Sequence, residues 1–224
     1  WLYRSGPGTV VGRGAVTGCA YFASVTLPSG LESIGSSAFY GCNGLLSVTI
    51  PDQVTTIGNY AFSGCSGLTT VSLGRGLTSI GRSAFSGCSS LSTIAIPDGV
   101  TSISDNTFSG CSGLVSVSLP GGLKSINDST FSGCGLATIA IPDEVTTIGR
   151  SAFSGCSGLV SVTLAGGLES RHDTTFFVYF SLASIDIPGV VVTLGLSAFS
   201  VCRLLPTLHT IAVLATRHNH TLCL

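Results

Sequence analysis

The phenylalanines keep time. Phe39, Phe62, Phe85, Phe108, Phe131, Phe153, Phe176 and Phe199 follow one another at intervals of 23 residues, with a single step of 22 between Phe131 and Phe153. A fixed period in this range specifies a solenoid, because each unit is too small to bury its apolar face alone and only stacked neighbours make a continuous core. Periodicity therefore overrides the one-or-two-domain expectation for a chain of 224 residues.

Superposed, the repeats read close to L-x-x-V-x-I-P-D-x-V-T-x-I-G-x-x-A-F-S-G-C-S-G. In the copy that begins at Leu45, the spacing of Leu45, Val48 and Ile50 predicts a short parallel strand whose apolar residues alternate inward. Val54 and Ile57 point inward on a second extended piece, and Ala61 with Phe62 fills the interior before the turn at Gly64. At about 1.5–3 kcal/mol per buried side chain, such a unit offsets its ordering cost only when neighbours cover both faces. The Ala-Phe-Ser-Gly-Cys segment is short and rich in Ser and Gly, which predicts a 3-10 or single-turn helical connection.

The frame sets the boundaries. Residues 1–18 form a degenerate N-terminal part or partial repeat, with Val16 in place of the aromatic; residues 19–208 form the solenoid; residues 209–224 form a degenerate tail. The last repeats of the solenoid decay, Arg171 standing where Ile148 and Ile126 stood and Tyr179 replacing the cysteine. A second period lies on the first, since Pro51-Asp52, Pro97-Asp98 and Pro142-Asp143 mark alternate copies, which points to growth by duplication of a two-repeat block. Proline and glycine after each strand end it, one lacking the ladder donor and the other permitting a positive-φ turn.

Charged residues make up 8% of the chain and the formal net charge is −1, so there is no basic field to attract nucleic acid or anionic lipid. The apolar residues come in short spaced groups without a run of about 18, which predicts no membrane insertion within this stretch. The chain opens on Trp1-Leu2-Tyr3-Arg4 with neither a basic-then-apolar signal nor a cleavage site, and is read as a fragment or a processed product.

These residues resemble the BspA-like leucine-rich repeats, whose hallmark is the block I-P-x-x-V-T-x-I-G-x-x-A-F-x-x-C-x-x-L. Ile50–Leu68 and Ile141–Leu159 carry it nearly intact. The resemblance implies a right-handed leucine-rich-repeat superhelix of the α/β horseshoe class and an extracellular or cell-surface adhesion protein that binds host or matrix proteins. The block is all core and turn, so it names no ligand-binding residue.

Catalytic and metal chemistry find little support. Cys19, Cys42, Cys65, Cys88, Cys111, Cys134 and Cys156 occupy one equivalent position per repeat. Stacked about 4.8 Å apart and pointing the same way, they read as small buried reduced thiols rather than disulfides. A line of single cysteines also makes no zinc tetrahedron. His218, His220 and Cys223 lack a fourth ligand and read as tail, while His172 and His209 stand alone. The serines lack the His–acid pair a nucleophile needs. Asp52, Asp98 and Asp143 read as turn formers rather than calcium ligands. Asn127-Asp128-Ser129 and Asn219-His220-Thr221 match the glycosylation acceptor pattern, which carries weight only in a secreted eukaryotic chain. No catalytic residue, metal ligand or cofactor is expected.

The outward strand positions carry what functional information there is: Ser47, Thr49, Thr70, Ser72, Thr93, Ser116, Ser118, Thr138, Ser161 and Thr163 are small and uncharged. Their bland reading is a solvated hydroxyl ladder suited to β structure. Their functional reading is a ligand face for a protein or glycan, in a non-enzymatic binding and adhesion scaffold. Two alternatives stand beside it, an ice- or surface-binding hydroxyl array and a purely structural spacer.

Overall fold

The computed structural model describes residues 9–164 and the strand segments Ser170–Arg171 and Ser184–Asp186. The chain winds as a β-solenoid with two parallel ladders. The first joins Ser24–Val25, Ser47–Thr49, Thr70–Ser72, Thr93–Ala95 and Ser116–Ser118, and continues as Thr138–Ala140, Ser161–Thr163 and Ser184–Asp186. The second joins Thr9–Val11, Leu31–Ile34, Thr56–Ile57 and Ser79–Ile80, and continues as Ser102–Ile103, Ser125–Ile126, Thr147–Ile148 and Ser170–Arg171. Register follows the repeat, so that Ser47, Val48 and Thr49 face Thr70, Val71 and Ser72. Residues before Cys19 already share this geometry: Thr9–Val11 pairs with Leu31–Ile34, and the Val16 amide donates to the Ala38 carbonyl at 2.7 Å.

Every inward position predicted for the Leu45 copy is buried, from Leu45, Val48, Ile50, Val54 and Ile57 to Ala61 and Phe62. The phenylalanines form a column. From Phe39 through Phe62, Phe85, Phe108 and Phe131 to Phe153, ring centroids lie 5.0, 5.2, 5.6, 5.5 and 5.5 Å apart, with planes within 12° of parallel. Each such contact contributes about 0.5–1.5 kcal/mol beyond the area it buries.

The connection through Ala-Phe-Ser-Gly-Cys differs from expectation. Among the described residues there is no helix, and this segment is a chain of β-turns. Its amides take partners alternately: Ala61, Ser63 and Cys65 donate three residues back to Gly58, Tyr60 and Phe62, while Tyr60, Phe62 and Gly64 donate to Arg82, Ala84 and Ser86 on the next coil. A helix needs every amide for its own axis. Here half of them hold the stack together, so the α part of the horseshoe expectation is replaced by turns. The geometry requires left-handed backbone at two places per coil, the second always glycine (Gly64, φ 74°) and the first often a larger residue (Ser83, φ 54°).

Among the described residues each ladder breaks once, the first of them at a one-residue deletion. The first breaks after Ser116–Ser118, where Cys134-Gly135-Leu136 is one residue shorter than Cys111-Ser112-Gly113-Leu114. A one-residue slip inside a strand would turn its buried side chains outward. Placed in the turn, the deletion leaves Leu136 and Ile139 buried, and its trace is a longer Ala137 amide bond to Val115, 3.4 Å. The second ladder breaks before Ser102–Ile103. Coils ahead of this point carry Gly35, Gly58 and Gly81 next to the strand, where a Cβ would come within 2.8 Å of the preceding coil's backbone. Ser104 is the first side chain there, and its hydroxyl donates to the Ile80 carbonyl at 2.7 Å. Where Ser104 and Asn127 replace glycine, Thr107 and Thr130 replace the following alanine, and their hydroxyls donate to the Ser104 and Asn127 carbonyls at 2.7 and 2.8 Å.

Candidate binding surface

In Ser47–Thr49, Thr70–Ser72, Thr93–Ala95 and Thr138–Ala140 the central residue points into the core and its two neighbours point out. Ser47, Thr49, Thr70, Ser72, Thr93, Ser116, Ser118, Thr138 and Thr163 are exposed, and Ser161 is half-buried. Registration gathers them into two columns. Ser47, Thr70, Thr93 and Ser116 form one run, continued by Thr138 and Ser161 beyond the break. Thr49 and Ser72 lead the other, in which Ala95 pairs with Ser118 and Ala140 with Thr163. Neighbours within a column lie about 4.8 Å apart.

A third column borders these two and was not singled out from sequence. Leu46, Thr69, Ser92, Val115, Ala137 and Val160 precede the strands in successive coils. Leu46, Val115 and Val160 are 50%, 51% and 43% exposed. The Thr69 hydroxyl donates to the Leu46 carbonyl at 2.9 Å, tying coil to coil along this edge. The signal was present: an apolar residue follows the inward leucine in Leu45-Leu46, Leu114-Val115 and Leu159-Val160, and two adjacent residues cannot both face inward on a strand. From Ser47 to Thr163 the face is uncharged and mixed in hydroxyl and methyl groups, and Asp186 stands in register with Thr163 at its far end. The face suits shape-matched contact rather than proton transfer or charge stabilisation.

The cysteines lie behind a different wall, and the structure shows what they do there. Cys42, Cys65, Cys88, Cys111, Cys134 and Cys156 are free and buried, and Cys19 is half-buried. Each buried thiol donates to the carbonyl at the aromatic position of the preceding coil: Cys42 to Val16 at 2.7 Å, Cys65 to Phe39 at 3.0 Å, Cys88 to Phe62 at 3.2 Å and Cys111 to Phe85 at 3.1 Å. Cys134 and Cys156 reach Phe108 and Phe131 at 3.2 and 3.0 Å. Burial pushes the Cys65 thiol up to about 12 from an ordinary 9.0, and raises Cys42 and Cys134 as well. Hydrogen bonding to Cys111 and burial together raise Cys88. A thiol held protonated is a poor nucleophile and a poor metal ligand.

Asp52 links one coil to the next, and Asp128 does the same. Asp52 is exposed, and its carboxylate accepts the Arg75 amide of the next coil at 2.8 Å; Asp128 accepts the Arg150 amide at 2.7 Å. Asp105, Asn127 and Asp128 line a shallow open notch with Thr147 and Gly149. Asn127 of the first acceptor pattern is half-buried, with its amide bonded to the Ile103 carbonyl at 3.1 Å. Among the described residues no three His, Cys, Asp or Glu side chains converge as a metal site. His172, Tyr179, His209, His218, Asn219, His220 and Cys223 lie outside the described residues.

Stacked coils with a conserved strand, a buried Leu–Val–Ile set and an uncharged outward face define a leucine-rich-repeat solenoid. The model of the BspA type leucine-rich repeat region matches residues 8–115 and 78–206, in 6 copies, and the chain belongs to that family. Among solved structures, a leucine-rich-repeat protein of T. pallidum is 29% identical, with a TM-score of 0.63 over 91% of this chain and 86% of its own. A leucine-rich cell surface protein of Faecalibacterium prausnitzii is 28% identical, with a TM-score of 0.60 over 86% of this chain and 68% of its own. No curated protein matches the chain.

Proposed function

We propose that the chain is a non-enzymatic binding scaffold, displayed at a cell surface, that holds protein or glycan ligands through the first ladder. The observation that carries this reading is the face itself: two columns of small uncharged residues, in register from Ser47 to Ser118 and again from Thr138 to Thr163, bordered by exposed Leu46, Val115 and Val160. Such a surface has no single anchor, so affinity is spread over many coils and depends on their regular stacking. The surface location is supported by the F. prausnitzii relative, named as a cell surface protein. Immobilised chain should retain extracellular matrix proteins or cell-surface glycoproteins, and Thr70→Arg with Thr93→Arg should weaken that retention by placing two bulky charges mid-face. Failure to retain any such material, with the fold intact by circular dichroism, refutes the reading and leaves a structural spacer.

The in-register hydroxyl run Ser47, Thr70, Thr93 and Ser116 favours a second reading, in which the same face orders water or ice. Thermal hysteresis that is present and abolished by bulky replacements at Thr49, Thr70 and Thr93 would support it; absence of hysteresis would remove it.

A further inference from the structure

Tyr40 and Tyr60 break the repeat on the turn side of the solenoid. At the place of Tyr40, directly after the core phenylalanine, later coils carry Ser63, Ser86, Ser109, Ser132 and Ser154. At the place of Tyr60, two residues before it, the other coils carry Gly14, Ser37, Ser83, Asn106, Ser129 and Ser151. Tyr60 holds left-handed backbone, φ 59°, a region that Gly and Asn enter readily and bulky side chains enter at a cost. Neither tyrosine belongs to the buried core. Tyr60 is 40% exposed and Tyr40 50% exposed, whereas the phenylalanines between them and the axis are buried.

Tyr40 and Tyr60 stand at neighbouring backbone positions on successive coils. Tyr60 is the coil partner of Ser37, whose amide donates to the Asn59 carbonyl at 2.8 Å, and the Tyr40 amide closes a turn on the Ser37 carbonyl at 3.2 Å. The Ser63 amide closes the equivalent turn on Tyr60 at 3.1 Å, and the Gly41 amide donates to Ser63 at 2.8 Å. Ser37, Tyr40, Ser63 and Tyr60 are thus the corners of one backbone quadrilateral, with the tyrosines on a diagonal and their Cα atoms within about 12 Å. The fringe is polar and mostly neutral: serine hydroxyls at the other two corners, and the exposed Asn59 amide, whose oxygen accepts the Arg82 amide at 2.9 Å and whose NH2 is left to donate.

We infer that Tyr40 and Tyr60 form an aromatic platform for a neutral pyranose oligosaccharide, a site separate from the ladder face. A sugar ring offers an apolar C–H face to stack on the phenol rings and hydroxyls around its rim for the serine and asparagine groups. A neutral ligand matches a patch whose four corners, Ser37, Tyr40, Tyr60 and Ser63, and whose Asn59 edge carry no charged side chain. A strained, exposed aromatic is understood as a cost retained for contact.

The test is calorimetric titration of the full chain with cellohexaose, maltohexaose and mannohexaose, alongside Tyr40→Ser and Tyr60→Ser. Serine is what other coils carry at both places, so both variants should fold, with an unchanged or higher melting midpoint for Tyr60→Ser. The expected result is binding of at least one hexasaccharide by the parent chain, weakened roughly tenfold by each substitution. No binding of any of the three by the parent, or binding that either substitution leaves intact, overturns the inference. The ladder substitutions at Thr70 and Thr93 address the other face, so the two proposals stand or fall separately.

Discussion

Replacing Phe85 with alanine tests the central column of this fold. Phe85 is fully buried, with Phe62 at 5.2 Å on one side and Phe108 at 5.6 Å on the other. Large-to-small truncation of a buried phenylalanine costs about 3–5 kcal/mol, the spread reflecting how far the site collapses. Collapse is restricted here. The Phe62 amide donates to the Ala84 carbonyl at 2.7 Å and the Phe85 amide to Thr107 at 2.9 Å, so the coil spacing is pinned on both sides of the vacated volume. The cost should therefore lie toward the upper end of that range. Phe39 is the comparison: its described ring partner is Phe62 alone, and Val16 occupies the aromatic place on its other side. Phe39→Ala should then cost less than Phe85→Ala by about one ring contact, ~0.5–1.5 kcal/mol. Urea unfolding followed by circular dichroism measures both, with slopes compared because stacked repeats can lose cooperativity. Equal losses for the two variants, or an unshifted midpoint for Phe85→Ala, would refute the stacked-column account.

Two glycines on successive coils should respond differently. Gly67→Ala brings a Cβ to 2.2 Å from the Asn43 carbonyl oxygen, so it should cost about 3 kcal/mol, and Gly67→Asn should be no better. Gly87 instead has space, with Gly64 Cα 3.7 Å from the new Cβ, but a φ of +73°; Gly87→Ala should cost about 1–2 kcal/mol and Gly87→Asn less, because asparagine accepts that region. Thermal midpoints of the four variants decide this. The cysteines set an alkaline limit: Cys65 is raised from 9.0 to about 12, so the unfolded chain releases that proton first and stability falls as pH rises from about 9 toward 12. The slope should be about 1.4 kcal/mol per pH unit for each such thiol, and Cys65→Ala should make it shallower. A stability profile flat across that window would show that the thiol is not desolvated. At neutral pH the buried cysteines should react with a disulfide reagent only upon unfolding.

Much of the fold was legible because its cause is local and repeated. Leu45, Val48, Ile50, Val54, Ile57 and Phe62 recur at one spacing, and a strand's alternation leaves a single way to bury them all. The Ser47-to-Thr163 columns followed from the same alternation, which assigns the intervening residues to the outside. The connection was misread as helical because propensity weighs each segment alone. In Tyr60–Cys65 every other amide is taken by the next coil, a demand that no property of Ala, Phe, Ser or Gly announces.

By itself, then, the chain's periodicity determined the solenoid, its inward set and its uncharged ladder, since these depend only on which residues recur at which interval. The stacking of coils decided the rest. It bound each of the six buried cysteines to a carbonyl 25 or 26 residues earlier, tied the Ser104 hydroxyl to the Ile80 carbonyl, and brought Tyr40 and Tyr60 to one diagonal. These are relations between coils, and a contact across the stack becomes visible only when the rise from one turn to the next is known.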